Sequence, residues 1–224
     1  MGRAKELLRI YELLDRHFGA LHWWPADGPF EVMVGAILTQ NTAWVNVEKA
    51  IVILRKRGLL SPESLARVGE GALAEAIRPS GYYHVKARRL KDLVRFFQET
   101  YGGDIGRMTK EKLPALRKKL LAVSGVGPET ADSILLYACQ KPSFVSDAYT
   151  RRILGRHGLI DEAAGYDQIR NLFMTHLPQE VALYNQYHAL LVNTGKHFCR
   201  TVPRCAACPL GVLLSGAAPP VRRR

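Results

Sequence analysis

The sequence predicts an all-α protein, because apolar residues recur at helical spacing along nearly the whole chain. No segment alternates apolar and polar residues in the way that a half-buried strand would. Clusters of turn-forming residues interrupt the helical pattern at 25–29, 78–81, 101–106 and 124–128. We therefore expect a set of helices joined at these breaks, without a sheet.

Each predicted helix is marked by its apolar residues. The first carries Leu7, Ile10 and Leu14 on one face. The nearly continuous apolar run at 30–38 predicts a buried helix, and the next helix is expected to begin at Asn41-Thr42. Further apolar faces lie at 90–97, 113–121, 134–137, 153–154, 169–174 and 184–192.

The charge balance indicates a polyanionic partner. The 224 residues include 32 Lys and Arg against 20 Asp and Glu, which gives a formal net charge of +12. A surplus of this kind favours polyanions, of which nucleic acid is the commonest. The sequence contains no run of 18 apolar residues, so it predicts no membrane span. The N-terminus lacks the apolar block of a secretory signal. We expect a cytoplasmic protein, associated with the nucleoid if the source is prokaryotic.

A helix, a glycine-containing turn and a second helix follow one another in the middle of the chain. The first helix is expected at 113–123, and Pro128 suits the first turn of the second, where its missing N–H costs little. Gly125 and Gly127 permit positive φ and a close approach of the backbone to a ligand. The N–H groups of such a turn form an anion site that suits phosphate. The side chain of Val126 is expected to pack into the core and anchor the turn.

An acidic residue follows this hairpin, in the segment Phe144-Val145-Ser146-Asp147. The chain resembles the endonuclease III superfamily of helix-hairpin-helix DNA glycosylases in two motifs, Leu121-x-x-x-Gly125-Val126-Gly127-x-x-Thr130-Ala131 and Val145-x-Asp147. The resemblance covers almost the whole chain. It implies a monomeric enzyme that acts on double-stranded DNA containing a damaged base.

The same resemblance implies two helical subdomains with the active-site cleft between them. The helical barrel is expected at 26–137 and includes the helix-hairpin-helix at 113–137. The second subdomain is expected to combine 1–25 with 138–224. It would carry the catalytic Asp and a Cys-containing loop.

Asp147 matches the catalytic acid of the family. Cleaving a base from deoxyribose builds positive charge on the sugar, and a nearby carboxylate stabilises that charge and orients water. The alternative is that Asp147 caps the helix that follows it, and one Asp can fill both roles. In the lyase members a Lys two residues after the second hairpin glycine attacks the sugar, but Glu129 stands at that position and cannot form a Schiff base. The resemblance therefore implies a monofunctional glycosylase without lyase activity.

The segments from Trp23 to Trp44 and from Ile77 to Leu90 resemble the 3-methyladenine DNA glycosylase III branch. In that branch aromatic residues sandwich the flipped base, and the matching positions are Trp24 and Trp44. An alkylated purine is cationic while it is attached to the sugar, so each indole face attracts it by about 0.5–2 kcal/mol. The alternative is that these Trp residues belong to the core. The branch implies removal of alkylated purines by base flipping in base excision repair.

Other site residues are assigned by position. Gln40 matches a family position whose side chain fills the space left by the flipped nucleotide. Lys196 matches a pocket lysine of the branch that can be carbamylated. The residues expected to contact DNA are Gln40, Arg78, Lys86, Arg89, Gly125, Val126, Gly127 and Thr130.

Three closely spaced cysteines, Cys199, Cys205 and Cys208, come near the end of the chain. Family members often end with four Cys that bind a [4Fe–4S] cluster, but here the fourth position falls near Leu214 and no Cys follows Cys208. Three interpretations stay open: a relic without metal, a cluster with an unusual fourth ligand, and a zinc site that uses His197. The expected chemistry itself requires no cofactor.

Two other functions compete with the removal of alkylated purines. An endonuclease III-like glycosylase would act on oxidised, deaminated or mismatched pyrimidines. A non-catalytic DNA-binding module would keep only the hairpin. Activity on methylated DNA tests the first alternative, and the effect of replacing Asp147 tests the second.

Overall fold

A computed structural model describes residues 2–21, 23–161 and 163–214 of the chain. Within these ranges the chain forms twelve α-helices, short 3₁₀ segments and turns, without a strand, so the predicted all-α fold is confirmed. In chain order, the helices are α1 (Arg3–Phe18), α2 (Pro29–Leu38), α3 (Trp44–Lys56), α4 (Pro62–Arg67), α5 (Glu70–Ala76), α6 (Tyr83–Tyr101), α7 (Ile105–Thr109), α8 (Leu113–Leu121), α9 (Pro128–Ser133), α10 (Ala148–Arg156), α11 (Tyr166–His176) and α12 (Val181–His197). None of the described helices is long and apolar enough to cross a membrane.

The chain divides into two compact units. The terminal unit combines the chain up to residue 23 with the chain from residue 142 onward, and the central unit spans 24–141. The end of the predicted second subdomain, 215–224, lies outside the described residues. The predicted cleft between two subdomains stays a prediction.

The terminal unit is built around a cluster of aromatic side chains. The ring of Phe144 lies parallel to that of Phe173 on α11, with centroids 3.6 Å apart. Tyr184 and Tyr187 of α12 meet Phe144 edge-on, at centroid distances of 5.5 and 6.0 Å. The Tyr187 hydroxyl donates to the Leu7 carbonyl at 2.8 Å, which satisfies its polar end inside the core. The cluster thus joins α1, α11 and α12, and α12 also packs along α10.

α2 is the most deeply buried helix of the central unit. Residues 32–38 are all buried, as their apolar run predicts. The helix packs against α3, α6 and the wider π-helical turn at Ile134–Ala138, which continues from α9. Shortly after the helix, the side chains of Gln40 and Thr42 form hydrogen bonds to segments that are distant in the sequence.

The helix predicted to begin at Asn41-Thr42 begins instead at Trp44. Asn41 turns the chain with a left-handed φ of +52°, and the Thr42 hydroxyl donates to the Ser80 carbonyl. Thr42 is engaged by a distant loop and so does not cap α3. The sequence could not show this, because the acceptor lies 38 residues away.

Candidate active site

The two hairpin helices, α8 and α9, are joined by a turn that requires glycine at residue 125. Gly125 has φ +80°, and a Cβ there would lie 2.2 Å from Cγ of Arg89. Val126 is buried, as predicted, and its N–H donates to the Val123 carbonyl at 3.0 Å. Gly127 has φ −86° and open space around its Cβ position. The positive φ and the close contact with Arg89 therefore require glycine at residue 125, whereas residue 127 could carry a side chain.

A buried ion pair holds the hairpin helices together. Nε and Nη2 of Arg117 on α8 donate to the two carboxylate oxygens of Asp132 on α9, each at 3.0 Å. The Asp132 side chain is fully buried and that of Arg117 is 16% exposed. A bidentate pair fixes orientation as well as distance, so it sets the angle between the two helices. Glu129 lies exposed in the first turn of α9.

The amide of Gln40 is bound to the hairpin. Its Nε2 donates to the Gly125 carbonyl at 3.0 Å and to Oγ1 of Thr130 at 2.9 Å. Its Oε1 accepts from Nη1 of Arg89 at 2.5 Å. The structure thus brings four of the predicted DNA-binding residues together, although Thr130 is buried. Their polar groups stabilise the hairpin here, and the role of Gln40 in filling a vacated base position stays a prediction.

Lys86 is buried, which corrects the prediction that it contacts phosphate. Its ammonium group donates to the Leu38 and Ser80 carbonyls at 2.8 and 2.6 Å, and to Oγ1 of Thr42 at 2.7 Å. Burial, together with the charge of Arg89, lowers the pKa of Lys86 to about 8. All three donors of the ammonium are used to join the end of α2 to the loop before α6, so none reaches DNA.

The loop before α6 presents an aromatic side chain to solvent. Tyr82 is 73% exposed and has a left-handed φ of +47°. Arg78, which was predicted to contact phosphate, is also exposed and forms an ion pair with Glu75. Its guanidinium carbon lies 5.3 Å from the ring centroid of Tyr83. An exposed aromatic ring among basic residues can stack on a base or wedge into a base step. Sequence analysis missed Tyr82, although an aromatic pair directly after a glycine turn was the available signal.

Asp147 uses its two carboxylate oxygens differently. Oδ1 accepts from the backbone N–H and from Oγ1 of Thr150, at 2.8 and 2.9 Å, and so caps α10. Oδ2 lies 3.6 Å from Nε2 of His188, an ion-pair distance longer than a hydrogen bond. Burial acts to raise the pKa of Asp147, but His188 and the Thr150 donors outweigh it, and the pKa lies below its ordinary value. The capping role is confirmed, and Oδ2 is the oxygen outside the cap.

Trp23 and Lys196 lie in the same unit as Asp147 and are linked to it through His188. Nζ of Lys196 lies 5.5 Å from the centroid of the Trp23 ring. That ring meets the His188 ring edge-on at 6.1 Å. Sequence analysis missed both Trp23 and His188; the signals were the adjacent Trp pair and the single His in the apolar stretch 184–192. The place of Lys196 in a base pocket stays a prediction.

Trp24 and Trp44 line one cavity of about 380 Å³ in the central unit. Their rings touch, with centroids 5.3 Å apart and planes at 73°. Trp24 also stacks on Tyr137, with ring centroids 4.8 Å apart. A Cβ added at Gly35 would lie 3.4 Å from Nε1 of Trp24. A base cannot enter between two rings that touch each other. The predicted sandwich between Trp24 and Trp44 is therefore wrong for this conformation, in which the two rings form one wall of the cavity.

Carboxylates give this cavity a negative rim. Asp27, Glu31 and Glu48 line it, and Glu48 accepts from Nε1 of Trp44 at 2.8 Å. The cation among the lining residues is Arg55, which pairs with Glu31 and Asp27 at 2.8 and 2.6 Å. Three carboxylates against one guanidinium leave a net negative charge beside the two indoles.

The three cysteines, Cys199, Cys205 and Cys208, lie around a cavity of about 20 Å³ in the terminal unit. Leu214, at the position of the missing fourth thiol, lines the same cavity. Arg156 of α10 donates to Sγ of Cys199 at 3.3 Å. Across the described ranges, no three His, Cys, Asp or Glu are grouped so as to hold a metal ion. The residues present do not fit a cluster held by four thiolates.

The chain matches the family model of the HhH-GPD superfamily base excision DNA repair protein over residues 34–179. A protein of Methanocaldococcus jannaschii, provisionally named a DNA repair glycosylase, is 47% identical over 211 residues, which are 93% of this chain and 96% of that protein. The endonuclease III of Thermotoga maritima is 29% identical over 181 residues, 80% of this chain and 79% of that protein. The crystal structure of H. pylori 3-methyladenine DNA glycosylase bound to 1,N6-ethenoadenine has a TM-score of 0.75 and 28% identity, covering 88% of this chain and 98% of that one.

These similarities confirm the superfamily that the hairpin and Asp147 predict. They also support, at the level of the superfamily, an enzyme that binds DNA and removes bases. The chain belongs to the HhH-GPD superfamily of base excision DNA repair proteins and is a DNA glycosylase of that superfamily.

Proposed function

We propose that the protein is a monofunctional DNA glycosylase that acts as a monomer and removes alkylated purines such as 3-methyladenine from duplex DNA. The observation that carries the proposal is the largely buried carboxylate of Asp147, with one oxygen outside the cap of α10. The substrate class is supported by the negative, indole-lined cavity of the central unit. It is also supported by the similarity to a 3-methyladenine DNA glycosylase.

The proposed reaction begins when the hairpin binds the phosphate backbone and the damaged nucleotide leaves the base stack. The bond between C1′ and the purine breaks, and both electrons pass to the base. Because alkylation had made the base cationic, it leaves as a neutral molecule. The Asp147 carboxylate stabilises the positive charge that remains on the sugar. Water then adds at C1′ and releases a proton to solvent, which leaves a free base and an intact abasic site.

The charge of the cavity favours a cationic purine over a neutral pyrimidine. Glu31 and Glu48 attract positive charge, and the indole of Trp44 offers a face for stacking. The alkylated glycosidic bond is already weak, so selective binding of the cation supplies much of the discrimination. Trp24 is proposed to shape the wall, since Tyr137 already covers one of its faces.

Trp44→Ala is expected to lower the release of 3-methyladenine from methylated DNA by about 2- to 30-fold, the loss of roughly 0.5–2 kcal/mol of stacking and cation–π attraction. Chromatography of the released bases measures the rate. Val45→Ala is the matched control, because Val45 is the adjacent residue and is 54% exposed. The proposed substrate class would be wrong if the protein released no alkylpurine from methylated DNA but did release oxidised or deaminated pyrimidines from their duplexes.

The wild-type protein is expected to leave the abasic strand uncut, because Glu129 offers no amine for a Schiff base. Incubation with a lesion duplex and sodium borohydride should then give no covalent adduct, and breaks should appear only after alkali. Glu129→Lys is the matched variant, since it places an exposed amine in the first turn of α9 and is expected to gain a trapped adduct. An adduct with the wild-type protein would rule out the monofunctional assignment.

Removal of oxidised, deaminated or mismatched pyrimidines is the second candidate function. It is favoured by the 29% identity to the endonuclease III of T. maritima. The cavity weighs against it, because a neutral pyrimidine gains little from the negatively charged residues that line the cavity, whereas Glu129 weighs only against strand cleavage. Duplexes that each carry a single defined lesion separate the two candidates by which base is released.

The Cys loop enters no step of this proposal. Arg152 donates to the carbonyls of Cys199 and Gly195, and Arg156 to those of Arg200 and Thr201. We propose that these two arginines of α10 hold the loop in place where the superfamily often uses a cluster.

A further inference from the structure

We propose that His188 is a positioning residue that fixes the rotation of the Asp147 carboxylate. The inference rests on the glycosylase function proposed above. It concerns a residue outside the hairpin and outside both Trp positions, and it follows from contacts within the terminal unit alone.

The two oxygens of Asp147 are held from different helices. Thr150 of α10 donates twice to Oδ1, and His188 of α12 faces Oδ2 at 3.6 Å. Contacts on both oxygens restrict the rotation of the carboxylate. A carboxylate that must sit against a developing charge benefits from this, because a misplacement of about 1 Å can cost on the order of 100-fold in rate.

Burial creates the need for such a partner. The side chains of Asp147 and His188 are only 12% and 6% exposed. A carboxyl group removed from water tends to take up a proton, and a neutral acid cannot stabilise a cationic sugar. An N–H group offered toward Oδ2 by the imidazole favours the ionised carboxylate over the neutral acid. Lys196, a cation of the same unit, lies 5.5 Å from the centroid of the Trp23 ring.

The fold gives His188 little freedom to turn away. It lies on α12, which packs along α10, and Tyr184 and Tyr187 on the same helix are fully buried. The edge of the Trp23 ring approaches its imidazole at a centroid distance of 6.1 Å. The imidazole is therefore held beside Oδ2 by the same packing that forms the core of the terminal unit.

Single-turnover rates of base release and DNA affinity test the proposal in wild type, His188→Leu and His188→Gln. We expect His188→Leu to lose on the order of 100-fold in rate. His188→Gln should stay within about tenfold of wild type, because its amide can still donate toward Oδ2. DNA affinity should change less than about threefold in both, since the hairpin is untouched. His176→Leu, the same change at a half-buried His of α11, serves as the control and should match wild type.

A double variant separates positioning from a general structural role. In an Asp147→Asn background, adding His188→Leu should cause no further loss, because His188 acts through the carboxylate. Wild-type rates in His188→Leu, or equal losses in His188→Leu and His188→Gln, would overturn the inference alone. A wild-type protein that releases no base from any lesion would overturn the proposed function, and the inference with it.

Discussion

Replacing Asp147 with Asn is expected to lower the single-turnover rate of base release by about 10²- to 10⁴-fold while leaving DNA affinity nearly unchanged. The carboxylate acts mainly on the charge that develops in the transition state, so its loss affects rate far more than binding. Asn caps helices about as well as Asp, so α10 should still begin at the same residue. Rates on a lesion duplex and a binding titration at matched salt measure the two quantities.

Asp104→Asn is the matched control for this experiment. Asp104 also caps a helix, α7, through an oxygen that accepts from the Gly106 N–H at 2.7 Å, but it lies in the central unit and does not line the cavity. It should release base at the wild-type rate. If Asp147→Asn did the same with affinity retained, Asp147 would not be the catalytic acid. A wild-type protein that binds DNA but releases no base from any lesion would be a DNA-binding module.

Arg117→Met should lower the free energy of unfolding by about 3–5 kcal/mol, the largest stability effect that we expect of any single exposed or half-buried charge. The variant leaves the fully buried Asp132 carboxylate without the guanidinium that grips both of its oxygens. Urea unfolding followed by circular dichroism gives the change in free energy. Because the pair spans α8 and α9, DNA affinity should fall together with stability.

A surface pair provides the comparison for this stability effect. Arg95 pairs with Asp92 within α6 and its side chain is 60% exposed, so Arg95→Met should cost less than about 1 kcal/mol. Adding Asp132→Leu to Arg117→Met should restore part of the lost stability, because it removes the isolated buried charge. A loss of less than about 1 kcal/mol in Arg117→Met would show that the pair does not hold the hairpin.

Periodicity and turn residues were enough to predict the longer helices and the hairpin, but not the short helices α4, α5 and α7. α2 is buried where the apolar run predicts it, and Gly125 adopts the positive φ that its turn requires. Asp147 caps α10, which was one of its two predicted roles. Each of these features depends on neighbours within a few residues, and local sequence specifies such features directly.

The features that the sequence did not show depend on distant partners. Lys86 looked like a phosphate contact among basic residues, but its acceptors come from the end of α2 and from a loop before α6. The two adjacent Trp residues could not be told apart, because Trp24 has φ +61° and the backbone turn sets their neighbours. Trp23 contacts His188 and Lys196, whereas Trp24 contacts Tyr137 and Trp44.

Because Oδ1 of Asp147 caps α10 while Oδ2 lies outside the cap, the residues that can replace Asp147 during evolution are limited. Oδ1 starts a helix, so most replacements at this position would disturb the fold before selection could act on the chemistry. Asn, Ser and Thr are the replacements that can preserve the helix start and remove the carboxylate. A lineage that gave up catalysis and kept DNA binding would therefore be expected to carry one of these three residues at this position.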